Sequence, residues 1–339
     1  MITLVTGATG HVGTNLIRRL QQEGRQLRVV LAPGTDLPAG VVAEKMVGDV
    51  RDPATMAKAC EGVQTVLHLA GIISITGPQG GRVHDINVNG LVTTARAALD
   101  AGVQRFVQVS SIHGFDIGVG ADTPVDENAP RPGSGHPAYD RSKWEGEQRF
   151  REIIKAGLDG VIVNPTGIIG PHDPVLSRMG RFFLNLFEGR IPAALNTGFN
   201  WVDVRDVVDG ILAAEKKGRT GENYILGGHW LDMQGLATLV EARTGQGKPR
   251  FTLPLWTAYL TVPFFRAMGR ITGQEPLVTM ESLHALKPSA SRRISSDKAG
   301  RELGYRPRTM EDSIDAIYRS FIEDGRLQAP ADGLAQPAR

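Results

Sequence analysis

Hydrophobic positions in the first two-thirds of the chain fall into short dense runs. These are ITLVT (2–6), LRVVL (27–31), EKMVG (44–48), TVLHLA (65–70), RFVQVS (105–110) and GVIVN (160–164). Most are apolar on nearly every residue and rich in β-branched side chains, which predicts strands covered on both faces. Between them lie stretches of helical period at 12–24, 53–62, about 84–101 and 138–157. Strand and helix alternating in this way predict a parallel sheet with helices on both faces, and right-handed crossovers make it doubly wound. From about residue 171 the rhythm breaks, with Pro, Gly and aromatic residues becoming frequent. One more strand, ENYILGG (222–228), is expected to return to the sheet after NWVDVRDVVDGILAA (200–214).

Composition narrows the class. The 339 residues are 41% hydrophobic and 22% charged, as in an ordinary globular protein long enough for a large core. A net charge of +2 without a basic run argues against a nucleic-acid partner. Cys60 stands alone, which excludes an intrachain disulfide and fits a reducing compartment; it reads as a small core residue. MITLV runs straight into a glycine turn without a leader pattern. The later apolar stretch 253–269 is broken by Pro263 and Arg266 and is too short to span a bilayer. The expectation is a cytoplasmic protein with no membrane, nucleic-acid or metal partner.

Three glycines, Gly7, Gly10 and Gly13, punctuate GATGHVG between the first strand and the first helix. This is where a dinucleotide-binding fold needs a sharp turn, close backbone approach to a pyrophosphate and tight packing of helix on sheet. Thr9, His11 and Val12 fill the positions between the glycines and are expected at the cofactor. A second marker is the end of the second strand, where an acidic residue would take the adenosine ribose hydroxyls. Ala32 stands there, and Asp36 arrives four residues late. The amides and hydroxyl of Gly34 and Thr35 offer themselves to a 2′-phosphate instead, so NADP is favoured over NAD.

Chemistry is carried by Tyr139 and Lys143 in YDRSK, four residues apart on a helix and roughly 6 Å along its axis. An ammonium beside a phenol is expected to lower the phenol's pKa toward neutrality, fitting it to exchange a proton with a carbonyl or alcohol. Ser111, at the carboxyl end of the strand RFVQV, is placed in the crevice where ligands of such sheets bind, and Ser110 is read as structural.

The glycine spacing, the later serine and YxxxK together resemble the extended short-chain dehydrogenase/reductase family. Within it, the chain is similar to the bacterial dihydroflavonol-reductase-like and NAD-dependent epimerase/dehydratase-like members. The likeness covers roughly residues 1–325 and includes GDVRD (48–52), HLAG (68–71), INVNG (86–90), NPTGIIGPHD (164–173) and WVDVRDV (201–207). It implies an α/β Rossmann fold: a dinucleotide domain over 1–170, rejoined by 197–228, and a smaller, mostly helical substrate lobe over 171–196 and 229–325. A flexible tail follows at 326–339. By resemblance, Asp49 and Val50 contact the adenine, and Leu69, Ala70 and Gly71 line the passage to the nicotinamide. Pro165 and Ile168 flank that ring, and Asn87 is structural. Ile73, Ser74, His113 and Phe115 are the candidates for the substrate side, while His68 reads as a core histidine.

The expected activity is NAD(P)-dependent hydride transfer to or from a carbonyl/alcohol pair of a small-molecule substrate. Tyr139 is the general acid/base, Lys143 the ribose and phenol partner, and Ser111 the anchor of the substrate oxygen. Trp256, Tyr259, Phe264 and Phe265 suggest an apolar or aromatic pocket wall, with core packing as the alternative. Ile112 and His113 stand where dehydratase relatives carry Asp-Glu, which disfavours dehydration. A nucleotide-sugar 4-epimerase holding NAD tightly and a non-catalytic NADP-binding redox sensor remain the rival readings. Pairing through helices near 84–101 and 138–157 would make a homodimer.

Overall fold

The computed structural model describes residues 1–118, 124–245, 249, 251–272, 279–285 and 294–328. Phe264 and Phe265 lie outside the described side chains, as does the tail beyond residue 328.

Each of the six apolar runs is a strand of one parallel sheet. The strands are β1 (Ile2–Thr6), β2 (Gln26–Leu31), β3 (Glu44–Val47), β4 (Val63–His68), β5 (Arg105–Val109) and β6 (Gly160–Pro165). The run at 222–228 supplies a seventh, Asn223–Leu226, and the spatial order runs from it through β6, β5, β4, β1 and β2 to β3. Alternate residues of each strand feed opposite faces. Val5, Val29, Leu67, Val107 and Val161 enter one core cluster, and Leu4, Val30, Val66, Phe106 and Ile162 enter the other. Both sets are buried, which is why the runs are apolar throughout.

Helices cover both faces. On the first lie α1 (His11–Gln22), through Leu16, Ile17 and Leu20, and the later helix Val204–Lys217, through Val207 and Ile211. On the second lie α2 (Pro53–Cys60), the segment 82–100 and the helix Ala138–Lys155. Segment 82–100 is not uniform. α3 (Arg82–His84) passes through a π-helical stretch, Asp85–Gly90, into α4 (Leu91–Asp100). α5 is the helix Ala138–Lys155. Cys60 is fully buried in the second core, and burial pushes its thiol up to about 12, the inert behaviour expected of a core cysteine.

Beyond β6 the chain forms β7 (Gly167–Ile169), α6 (Arg178–Phe187), β8 (Ala193–Leu195) and β9 (Gly198–Asp203). α7 (Val204–Lys217), β10 (Asn223–Leu226), β11 (His229–Asp232) and α8 (Met233–Thr244) follow. The last elements are β12 (Phe251–Leu253), α9 (Leu255–Thr272), α10 (Met280–Ala285), α11 (Asp297–Leu303) and α12 (Met310–Glu323). Within 197–228, α7 and β10 pack on or join the large sheet, whereas β9 pairs with β7 and β11 in a sheet of three. Trp201 of β9 is fully buried among Phe183, Leu236 and Ile314, and its indole N–H donates to Leu231 O at 3.0 Å. α11 follows the lobe in sequence but buries Ala299 and Leu303 in the core of the large sheet. Two hydrogen bonds tie the start of α10 to the loop after β4: Thr279 Oγ1 to Ile75 O at 2.7 Å, and Gly77 N to Glu281 Oε2 at 3.1 Å.

Candidate active site

The glycine turn is shaped by close approach. Gly7 has φ +73°, and a Cβ there would lie 2.7 Å from the Ala70 backbone nitrogen. A Cβ on Gly13 would collide with Gly7 O and the Ala8 backbone. Gly10 is the N-cap of α1 and offers no side chain, so the amides of the first turn carry the positive end of the helix uncapped. A backbone cradle at an uncapped helix start fits a dinucleotide pyrophosphate. The His11 ring is engaged elsewhere, its Nε2 3.0 Å from Pro171 O, and Asn15 Nδ2 reaches Pro171 O at the same distance. Val12 packs against the first core, and Leu69 N and Ala70 N bond Thr6 O and Oγ1 at 3.1 and 3.3 Å.

At the end of β2 the reading of Thr35 changes. Its amide and its hydroxyl both donate to Ala32 O, at 3.1 and 2.8 Å, closing a turn over Pro33 and Gly34. Its donors therefore serve the turn, and are not free for a phosphate as the sequence suggested. Ala32 itself is exposed, and Asp36 is held by Lys45 at 2.6 Å. Asp49 pairs with Arg51 at 2.6 Å, and Val50 lies against Gly90.

Ser111, Tyr139 and Lys143 meet at the carboxyl end of β5, all buried. The Ser111 hydroxyl is close enough to the Tyr139 phenol to act against the rise in its pKa, and Lys143 Nζ lies 5.8 Å from the Tyr139 ring centre. Gly71 leaves room for that lysine, since a Cβ there would stand 3.2 Å from Nζ. The pKa order differs from the sequence expectation. Burial pushes Tyr139 up to about 12 against the opposing Ser111 hydroxyl, with Asp140 raising it further. Burial also lowers Lys143 to about 8, opposed by Glu147. Desolvation disfavours both charged forms and outweighs the pairing on which the expectation rested.

Below this trio lies a network the sequence reading missed. Glu147, one turn beyond Lys143, is fully buried. It accepts from Ser110 Oγ and Asn164 Nδ2, both at 2.7 Å, from Asn223 Nδ2 at 3.0 Å and from Arg131 at 3.1 Å. Its spacing from Tyr139 and Lys143, on one helical face, was the available signal. The Ser110 hydroxyl is thus engaged by a buried carboxylate. Asn87, in the π-helical stretch, bonds both backbone groups of Ile72 and Ser142 Oγ, tying the loop after β4 to α5.

The candidates on the substrate side divide. Ile73 is 68% exposed. His113 packs its ring 5.6 Å from that of Tyr139. Ser74 is buried within its own turn, donating to Gly77 O at 2.7 Å, and Phe115 is fully buried under the Arg131 guanidinium. Those two support the loops around the site and do not face a substrate. Thr9 lies half-buried in the glycine turn, Pro165 ends β6 and Ile168 sits in β7 against the first core. His68 is buried, with Nδ1 3.0 Å from Thr6 Oγ1, and burial beside Lys143 pushes it down to about 3. It is a neutral core histidine.

A doubly wound sheet with a glycine cradle and a buried Ser–Tyr–Lys trio defines an enzyme of the extended short-chain dehydrogenase/reductase class. The chain belongs to the NAD dependent epimerase/dehydratase family, whose profile matches residues 3–227. Sterol demethylase protein B of Methylococcus capsulatus is 33% identical, covering 96% of this chain and 100% of that protein. A Synechocystis protein assigned as a dihydroflavonol 4-reductase is 32% identical over 93% of each. The crystal structure of gox2253 superposes with a TM-score of 0.82 at 35% identity, covering 96% of this chain and 99% of that one. No helix among the described residues is long and apolar enough to cross a membrane.

Proposed function

We propose that the chain is an NAD(P)-dependent reductase/dehydrogenase acting on a ketone or secondary alcohol of a compact, largely apolar ring compound, with NADP favoured. The burial of Ser111, Tyr139 and Lys143 in one site carries this reading, because a phenol kept protonated near neutral pH is suited to giving its proton to a carbonyl oxygen. The nicotinamide, when bound, supplies or takes the hydride. Gly7, Gly10 and Gly13 hold the pyrophosphate by their backbone, and Lys143 holds the adjoining ribose hydroxyls. Ser111 donates to the substrate oxygen and orients it, while Pro165 and Ile168 flank the nicotinamide site.

Two relatives whose names specify a sterol and a dihydroflavonol support a ring substrate. Ile73 and Met280 support an apolar wall, each more than half exposed on the loop and helix joined by the Thr279 and Glu281 hydrogen bonds, and Trp256 of α9 is likewise more than half exposed. NADP is favoured because no carboxylate stands at Ala32 to repel a 2′-phosphate. Pairing of two copies through α4 and α5 in the cytoplasm belongs to the same reading, and light scattering tests the pairing.

The decisive experiment is titration with NADPH and NADH followed by a panel of ketones and alcohols, in the wild type and in Tyr139→Phe. Turnover that drops at least about 100-fold in Tyr139→Phe with cofactor binding retained is the expected result. Turnover that survives the substitution overturns the mechanism. NAD(H) that stays bound through dialysis, with no net turnover, would instead favour the epimerase.

A further inference from the structure

Asp140 follows Tyr139 in the first turn of α5, and its carboxylate is 6% exposed. Among the described residues its ion-pair partner is His113, whose Nδ1 lies 3.1 Å from Asp140 Oδ1 but out of line for a hydrogen bond. A buried carboxylate is costly without a cation or donor, and His113 is the group that faces this one. Two further contacts place the residue, one through its backbone and one through its ring. Ser111 Oγ accepts from His113 N at 3.2 Å in the single turn Ile112–Gly114, and the ring tilts 60° against that of Tyr139 at 5.6 Å. Nδ1 is closed to solvent while a quarter of the side chain is exposed, so the open edge of the ring is the one bearing Nε2. An imidazole backed by a carboxylate, with its free nitrogen on the open side of the Ser111–Tyr139 pair, has the form of a second acid–base group.

We propose that His113, oriented by Asp140, moves a proton at the carbon beside the substrate carbonyl. This rests on the oxidoreductase reading, which supplies the carbonyl. The α C–H bond breaks and its proton passes to His113 Nε2, giving an imidazolium paired with Asp140. The C–H electron pair becomes the C=C bond of an enolate, and the former carbonyl electrons move to oxygen, held by Ser111 and Tyr139. Return of a proton from Nε2 to carbon restores the ketone. The cycle is redox-neutral and needs no further reactant. It equips the site to exchange or relocate an α-proton of the ketone that hydride transfer makes or consumes.

The test follows deuterium uptake from D2O into cyclohexanone and a saturated ketosteroid, alongside NAD(P)H-dependent reduction of the same ketones by the full chain. Wild-type protein is expected to incorporate deuterium above the buffer rate. His113→Gln is expected to lower the ratio of exchange to reduction by about 100-fold, within the range of general-base contributions, and Asp140→Asn by about 10-fold. Matched melting curves and NADPH binding separate these effects from misfolding. Reduction without deuterium uptake in the wild type, or an unchanged ratio in both variants, overturns the proposal and leaves the oxidoreductase reading standing. Absence of both reduction and exchange overturns the two together.

Discussion

Ser110 Oγ donates to Glu147 Oε1 across 2.7 Å, joining the end of β5 to the middle of α5 inside the protein. The same carboxylate gathers Asn164 at the end of β6, Asn223 at the start of β10 and Arg131 of the intervening loop. Ser111 and Lys143 are thereby held from opposite sides of one anchor. In Glu147→Gln the new amide N–H group replaces one oxygen and faces two donors, those of Ser110 and Asn164 or those of Arg131 and Asn223. Losing one partner of a buried charged network costs about 3–5 kcal/mol. A urea midpoint lowered accordingly is expected, and a loss under about 1 kcal/mol would show that the network contributes little.

Lys143 is predicted to serve chemistry at the expense of stability. Its pKa falls from 10.5 to about 8 on folding, so burying the ammonium penalises the folded state at every pH below 8. That penalty is released as pH rises from 8 to 10.5, because the unfolded chain then holds the proton more tightly. Lys143→Met is expected to abolish turnover and raise stability at pH 7 by about 1–3 kcal/mol, less whatever Glu147 contributed. Calorimetry at about pH 7 and about pH 10 should show the gain shrinking with pH.

His68 gives a slope of the same sign on the acid side. Burial lowers its pKa from 6.5 to about 3, so it contributes stability that is complete above 6.5 and lost as pH falls toward 3. About 2 kcal/mol should be gone by about pH 5. Unfolding curves of His68→Leu are expected to flatten across that interval, and an unchanged acid slope would assign the sensitivity to other groups.

Cofactor preference is open to a single substitution. Ala32 is exposed at the end of β2, and the Thr35 donors are committed to Ala32 O. An acid placed there can accept from ribose hydroxyls and repels a 2′-phosphate. Ala32→Asp should weaken NADPH at least about 10-fold while leaving or improving NADH. Fluorescence titration with the two cofactors measures it, and equal weakening of both would remove Ala32 from the adenosine site.

The sequence disclosed the large sheet because Leu4/Val5, Val29/Val30 and Phe106/Val107 bury neighbouring residues on opposite faces, leaving the strands apolar throughout. The glycine turn and the Ser111–Tyr139–Lys143 trio were legible from order and spacing. Less legible was whatever depends on which neighbour a polar side chain finds. Ser74 and Phe115 lie in loops whose direction no periodicity records, and both turn inward. Thr35 bonds its own turn. Asn164 and Asn223, polar residues on otherwise apolar strands, were visible in the sequence, but their shared partner Glu147 comes from a helix and is brought to them only by the fold. The pKa order of Tyr139 and Lys143 also escaped, since spacing shows proximity and not desolvation.

The loop after β4 and the start of α10 meet through Thr279 and Glu281, whereas Ser111, Tyr139 and Lys143 are rooted in the large sheet and α5. Inheritance can act on these two parts separately. On the proposed function, replacing Met280 or Trp256, both exposed, would alter which molecules are admitted without disturbing Ser111, Tyr139, Lys143 or their Glu147 anchor. On that reading, a lineage built this way could trade one substrate for another by drift in its outer elements, while the Ser111–Tyr139–Lys143 arrangement stays the same.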